Sequence, residues 1–344
     1  MKTKIYLTLF LISLITFRTN GQHLNQLLGI KEINTAEKIR IREVTAISKE
    51  FGDEIWPGYS KLPYPFLLVN DSVEFLTNYP NPPTGFTYLG FDSIMNSEVY
   101  IRKRKFPKAI LSAFPIASNG VPVLVAGTPE NIKITSTEWV IKVLHERFHQ
   151  LQQSYKEFVK ESDALGLAGD DTTGRWMINY PFPYQDSSIN WRYKKYSKAL
   201  AHAVAQIGYP EFKSALATFK SERSSLLKML KPLDYKYFSF QLWLEGIAMY
   251  TEYKFLTLLE SYTPTYEFKK LPDYIEFSVY RKQVVSSQSR FLNELDLKIG
   301  KRVTFYTMGY GEGRILDAIS QNWRKKYFKK LFFIEKYSAK LEKR

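Results

Sequence analysis

The sequence predicts an α+β protein in which an N-terminal antiparallel sheet is followed by a mostly helical C-terminal part. Three observations carry that expectation. Between residues 66 and 125 apolar side chains recur with a period near two, in short runs separated by turns rich in Pro, Gly and Asn. From Thr135 onward the period lengthens to about three and a half. The chain has no cysteine, so packing alone must hold it, and 44% hydrophobic content over 344 residues suffices for one large or two moderate cores.

At the start, Lys2 and Lys4 precede the apolar run Ile5 to Phe17, and Thr19 and Gly21 supply small residues ahead of Gln22. Residues 1–21 therefore read as an export signal. No later segment reaches about 18 uninterrupted apolar residues, the length a membrane span needs. The expected location is secreted or periplasmic, with no transmembrane segment once the signal is removed and no cysteine for lipid attachment. Two lobes are expected after it, 22–134 with a helix and the sheet, and 135–344 with the helices.

Asn34 with Glu37 marks a helix start of the capping-box kind, for a helix to about Phe51 that Pro57, Gly58, Pro63 and Pro65 then break. Phe66 to Val69 and Val73 to Leu76 flank Asn70-Asp71-Ser72 as a hairpin. Tyr79 to Gly85, with three prolines, is a surface loop, and Val99 to Phe106 alternates as a strand with one wet face. Ile110 to Ile116 and Val121 to Val125 join through Ser118-Asn119-Gly120. Pro115 and Pro122 place that pair at a sheet edge, because proline donates no ladder hydrogen bond. Thr135 with Glu138 then opens a helix carrying Trp139, Val140, Val143, Leu144, Phe148 and Leu151 on one stripe. After loops at 166–174 and 180–184, helices are expected near 190–207, 210–230, 238–260, 272–295 and 303–337.

The formal net charge is +15, and falls to +12 when Lys2, Lys4 and Arg18 leave with the signal. Export removes nucleic acid as a partner, while weak contact with anionic surfaces stays compatible with this charge. The densest basic patch, Arg324, Lys325, Lys326, Lys329 and Lys330, is interleaved with Trp323, Tyr327, Phe328, Phe332 and Phe333. That alternation reads as an amphipathic helix with its aromatic face on the body and its lysines in water.

The chemistry concentrates in His145-Glu146-Arg147-Phe148-His149, an HExxH pattern that uses two of only 4 histidines. Four residues apart on a helix, two imidazoles share one face and can close on a single Zn²⁺, with the intervening Glu146 as general base. Arg147 points off that face and is given no chemistry. Catalytic zinc takes three protein ligands. Glu157 and Glu161 lie too far along the same helix, roughly 12–18 Å from the pair. Gln152 stands where an HExxHxxGxxH arrangement needs Gly. His202, Asp170 and Asp171 remain open as third ligands, beside Glu245. Gly246 and Ala248 next to Glu245 let that helix approach another closely. Glu252, two turns on, suits a carboxylate that accepts the free ring N–H of a metal-bound His.

Together with HExxH, Trp243-Leu244-Glu245-Gly246-Ile247-Ala248-Met249-Tyr250-Thr251-Glu252 resembles the glutamate-zincin (gluzincin) metallopeptidases, whose second helix carries an EGxAxYxE signature. The resemblance implies a thermolysin-like fold, zinc, Glu245 as third ligand and Glu252 as the carboxylate behind the ligands. Tyr306-Thr307-Met308-Gly309 is similar to the Tyr-x-x-Gly segment of the aminopeptidase branch, which implies that the Tyr306 phenol serves the oxyanion. These are three short segments. His149 and Glu245 stand 96 residues apart, and no Gly-x-Met-Glu-Asn segment precedes the metal helix. The corresponding strand, Val121 to Gly127, lacks the carboxylate that captures a free amino terminus, but as an edge it could pair with an extended peptide. The expected function is a secreted zinc metallopeptidase acting on peptides or proteins. The alternative is a non-catalytic, zinc-stabilised secreted binding protein, in which losing Glu146 would change nothing.

Overall fold

A computed structural model describes residues 29–30, 32–115 and 121–337; the expected export signal lies outside them. The chain forms two compact units. The first takes residues through Glu54, then Gly58–Ser154 and Leu258–Phe277; the second takes Ile55–Pro57, Tyr155–Thr257 and the chain from Ser278. The division expected at 134/135 therefore falls after Ser154, and the HExxH helix goes with the sheet.

In the first unit, α1 (Thr35–Ile55) starts where expected, its Asn34 Oδ1 accepting the Ala36 N–H at 2.9 Å. It runs a turn beyond Phe51 and ends before Gly58, whose φ of 87° no helix allows. Six strands follow: β1 (Phe66–Val69), β2 (Val73–Thr77), β3 (Thr87–Asp92), β4 (Ser97–Lys103), β5 (Leu111–Pro115) and β6 (Pro122–Gly127). Their order across the sheet is β3-β4-β2-β1-β6-β5. The β1–β2 hairpin forms as read from the sequence. β3 was not expected: Gly90 and a register shift between Tyr88 and Gly90 break its alternation.

The sheet is mixed rather than antiparallel, because β6 pairs parallel with β1 and antiparallel with β5. This also corrects the edge expectation. β6 is an interior strand, and Pro122 is tolerated as its first residue, opposite Pro115 at the end of the ladder. With neighbours on both sides, residues 121–127 cannot add a peptide strand.

All four β1 residues are fully buried. Leu67 and Val69 join Leu76, Tyr79, Val123 and Val125 under a cover of Phe86, Tyr100, Phe106 and Phe114. Phe66, on the opposite face by the strand's alternation, meets Trp139 edge-on at 6.0 Å. The wet face expected on β4 is interrupted by Arg102, which is buried against Glu74 at 2.6 Å.

The helix that matters most is α2 (Ser136–Ser154). Thr135 Oγ1 accepts the Glu138 N–H at 3.2 Å, so the cap read from the sequence forms. Its polar residues fasten it to the sheet. The Trp139 indole donates to the Gly127 carbonyl at 2.8 Å, Gln150 to the Pro65 carbonyl at 3.1 Å, and Gln153 to the Ala113 carbonyl at 2.8 Å. Those acceptors belong to β6, the residue before β1, and β5.

The second unit is helical: α3 (Ser187–Ala205), α4 (Phe212–Leu227), α5 (Pro232–Gln241), α6 (Ile247–Leu258), α7 (Phe277–Glu294) and α8 (Thr304–Ile319). A π-helical turn, Leu242–Gly246, joins α5 to α6. The helix expected to Tyr337 stops at Ile319; Arg324–Lys329 and Ile334–Tyr337 are 3₁₀ turns instead. The expected sidedness survives the change of period. Trp323, Tyr327 and Phe332 are buried while Lys325, Lys326 and Lys329 are exposed, and Tyr327 stacks on Trp243 at 4.7 Å. No helix among the described residues is long and apolar enough to cross a membrane.

Candidate metal centre

α2 brings His145, Glu146 and His149 together as the spacing requires. All three are buried, and one ring nitrogen of each His and one Glu146 carboxylate oxygen lie within 4.8 Å of one another. The two Nε2 atoms face each other at 3.1 Å. Two nitrogens on a tetrahedral zinc, each about 2.0–2.1 Å from the ion, would be about 3.3 Å apart. The imidazole pair thus fits the ion with a shift of a few tenths of an ångström.

Gln152 sets the orientation. Its Oε1 lies 2.7 Å from His149 Nδ1, so Nδ1 carries the proton and donates it, and the lone pair of Nε2 is turned toward His145. The residue that breaks the HExxHxxGxxH spacing is therefore what fixes the second histidine. A polar side chain three residues past a helical ligand lies on the same face, which was the available signal.

Arg147 takes no part in this face. It is buried, donates to the carbonyls of Tyr59 at 3.3 Å and Leu62 at 3.2 Å, and stacks 4.5 Å from the Tyr64 ring centre. It anchors α2 to the segment 59–64.

The remaining candidates belong to the second unit. Glu245 sits in the π-helical turn, its side chain 13% exposed. Such turns shift the helix register locally and recur at functional positions. Tyr306, 61 residues later on α8, joins the same cluster through Arg302, whose Nη1 donates to Glu245 Oε1 at 3.2 Å and to the Tyr306 oxygen at 3.1 Å. Burial, and next the Glu245 charge, push the Tyr306 phenol well above its ordinary pKa against the opposing field of Arg302. Tyr306 is therefore an O–H donor across the physiological range. Arg302 was not singled out in the sequence, where one arginine in a basic chain gives no signal.

Two glycines make this cluster possible. A Cβ on Gly246 would lie 2.5 Å from Gly309 Cα and 3.0 Å from the Phe305 carbonyl oxygen. The helical segments carrying Glu245 and Tyr306 cross backbone to backbone there. That gives physical meaning to Gly246, expected to permit close approach, and to the Gly309 that ends Tyr-x-x-Gly. Glu252 is buried on α6.

The alternative third ligands are exposed or engaged in a local turn. His202 and Asp170 are exposed. Asp171 is spent on its own turn, accepting the Thr173 N–H at 2.7 Å and the Trp176 N–H at 2.6 Å. Burial works against its charge, but those bonds hold its carboxyl below the usual range.

No family model matches this chain, and no curated protein or solved structure is significantly similar to it.

Proposed function

We propose that this chain is a secreted zinc metallopeptidase of the gluzincin kind, hydrolysing peptide bonds, with His145, His149 and Glu245 as ligands. The observation that carries the reading is the histidine pair, with its Nε2 atoms 3.1 Å apart and one ring oriented by Gln152. The Glu245–Arg302–Tyr306 cluster supports it further, since it joins the two residues that the resemblance assigns to ligation and to the oxyanion. The lysine start and apolar run of residues 1–21 support export.

A bound zinc ion supplies Lewis acidity to water and to the scissile carbonyl. Glu146 accepts a proton from the attacking water and returns it to the leaving amine nitrogen. Tyr306 donates its O–H to the carbonyl oxygen as negative charge develops there. Gln152 keeps the His149 proton on Nδ1, so that the Nε2 lone pair is the one that would ligate. Glu252 serves as a buried carboxylate behind the ligands.

The test is digestion of a peptide mixture by the zinc-loaded protein, with and without a chelator, beside Glu146→Gln. The parent should cut and the chelator should stop it. Glu146→Gln should keep its zinc and lose hydrolysis by about a thousandfold. Cutting by Glu146→Gln at the parental rate would overturn the mechanism.

A further inference from the structure

Arg302 uses only part of its guanidinium. Nη1 spends its hydrogens on Glu245 and Tyr306, at 3.2 and 3.1 Å. The Nε and Nη2 edge has no hydrogen-bond acceptor among the described residues, and neither atom is a buried unpaired one. The side chain is 24% exposed. A planar pair of N–H groups, parallel and open to solvent, is the edge on which guanidinium binds carboxylate in bidentate fashion. Lys301, beside it in sequence, is exposed and adds positive charge. Glu245 engages only the Nη1 side of Arg302, so the opposite edge is left for a second carboxylate whether or not an ion is bound.

We infer that Arg302 captures the free C-terminal carboxylate of a peptide substrate, so that the enzyme removes short fragments from the C-terminal end. The inference rests on the peptidase reading for the place of the cut, and on Arg302 alone for the binding. Its reach follows from the structure. The Tyr306 oxygen is 3.1 Å from Nη1. Adding the width of the guanidinium and one hydrogen bond of about 2.9 Å puts a bound carboxylate roughly 5–8 Å from that oxygen. An extended peptide covers about 3.3–3.6 Å per residue, so the bond served by Tyr306 lies one or two residues before the terminus. This agrees with the absence of an amino-terminus-binding carboxylate from residues 121–127.

The experiment compares one peptide series in two forms, with a free C-terminal carboxylate and with a C-terminal amide. The zinc-loaded parent should cleave the free acids at least tenfold better in kcat/KM, releasing fragments of one or two residues. Equilibrium binding to the metal-free parent should favour the free acid at least fivefold. In Arg302→Gln both preferences should shrink to less than about twofold, while Arg302→Lys should keep part of them. Equal binding and cleavage of the two forms by the parent would overturn the inference, as would full discrimination by Arg302→Gln. Failure of the parent to cut either form would sink the peptidase reading, and the binding comparison would still decide the role of Arg302.

Discussion

Gly246→Ala tests the helix crossing that joins Glu245 to Tyr306. The added Cβ would sit 2.5 Å from Gly309 Cα, 3.0 Å from the Phe305 carbonyl oxygen and 3.1 Å from the Gly309 nitrogen. These are backbone atoms of a helix, so no side chain can rotate away. Carbon–carbon contact is comfortable at about 3.5–4.0 Å, so the two segments must part by about 1 Å. Overpacking of this kind costs about 1–3 kcal/mol, and backbone against backbone belongs at the upper end. Alanine returns about 1 kcal/mol through helix propensity, which leaves a net loss of about 2 kcal/mol. For a protein of this size, with about 2.1 cal/mol/K of unfolding entropy per residue, that lowers Tm by roughly 3 °C. The same displacement moves Tyr306 relative to Glu245, and a misplacement of about 1 Å can cost about a hundredfold in turnover. Calorimetry and peptide hydrolysis measure the two effects. An unchanged or raised Tm would mean that only helix propensity responds, and the tight crossing would be refuted.

Two other perturbations bear on different parts of the first unit. Gln152→Leu keeps the volume but removes the acceptor 2.7 Å from His149 Nδ1, so zinc affinity should fall about 10–100-fold in a chelator competition titration. Unchanged affinity would mean that His149 is oriented by something else. Glu43 accepts hydrogen bonds from Tyr262 at 2.9 Å and Thr265 at 2.8 Å, yet burial holds its carboxyl above the usual range. The folded state binds that proton more tightly than the unfolded one, so Glu43 favours folding most at low pH and less as pH rises. Between about pH 4 and 7 the parental Tm should therefore fall relative to that of Glu43→Gln; a constant difference would contradict the shift.

Local signals were legible in the sequence wherever the chain obeys local rules. Asn34 and Thr135 cap the helices they precede, Asn70-Asp71-Ser72 turns the first hairpin, and His145 and His149 meet because a helix places them one turn apart. What escaped is non-local or irregular. The parallel pairing of β6 with β1 joins residues far apart in sequence, so Pro122 suggested an edge that the assembled sheet lacks. β3 hid behind the Gly90 irregularity, and a 3₁₀ tail shares the aromatic-basic alternation of an α-helix. The Arg302 link between Glu245 and Tyr306 depends on how the π-helical turn and α8 cross at Gly246 and Gly309. Composition does not encode that crossing.

The central claim is that the facing imidazoles of α2 hold a metal ion, and zinc content measured on purified protein after reconstitution and removal of free metal tests it most directly. One zinc per chain is expected in the parent, and essentially none in His149→Ala under the same conditions. A parent without zinc, or a His149→Ala protein that keeps it in full, would contradict the account.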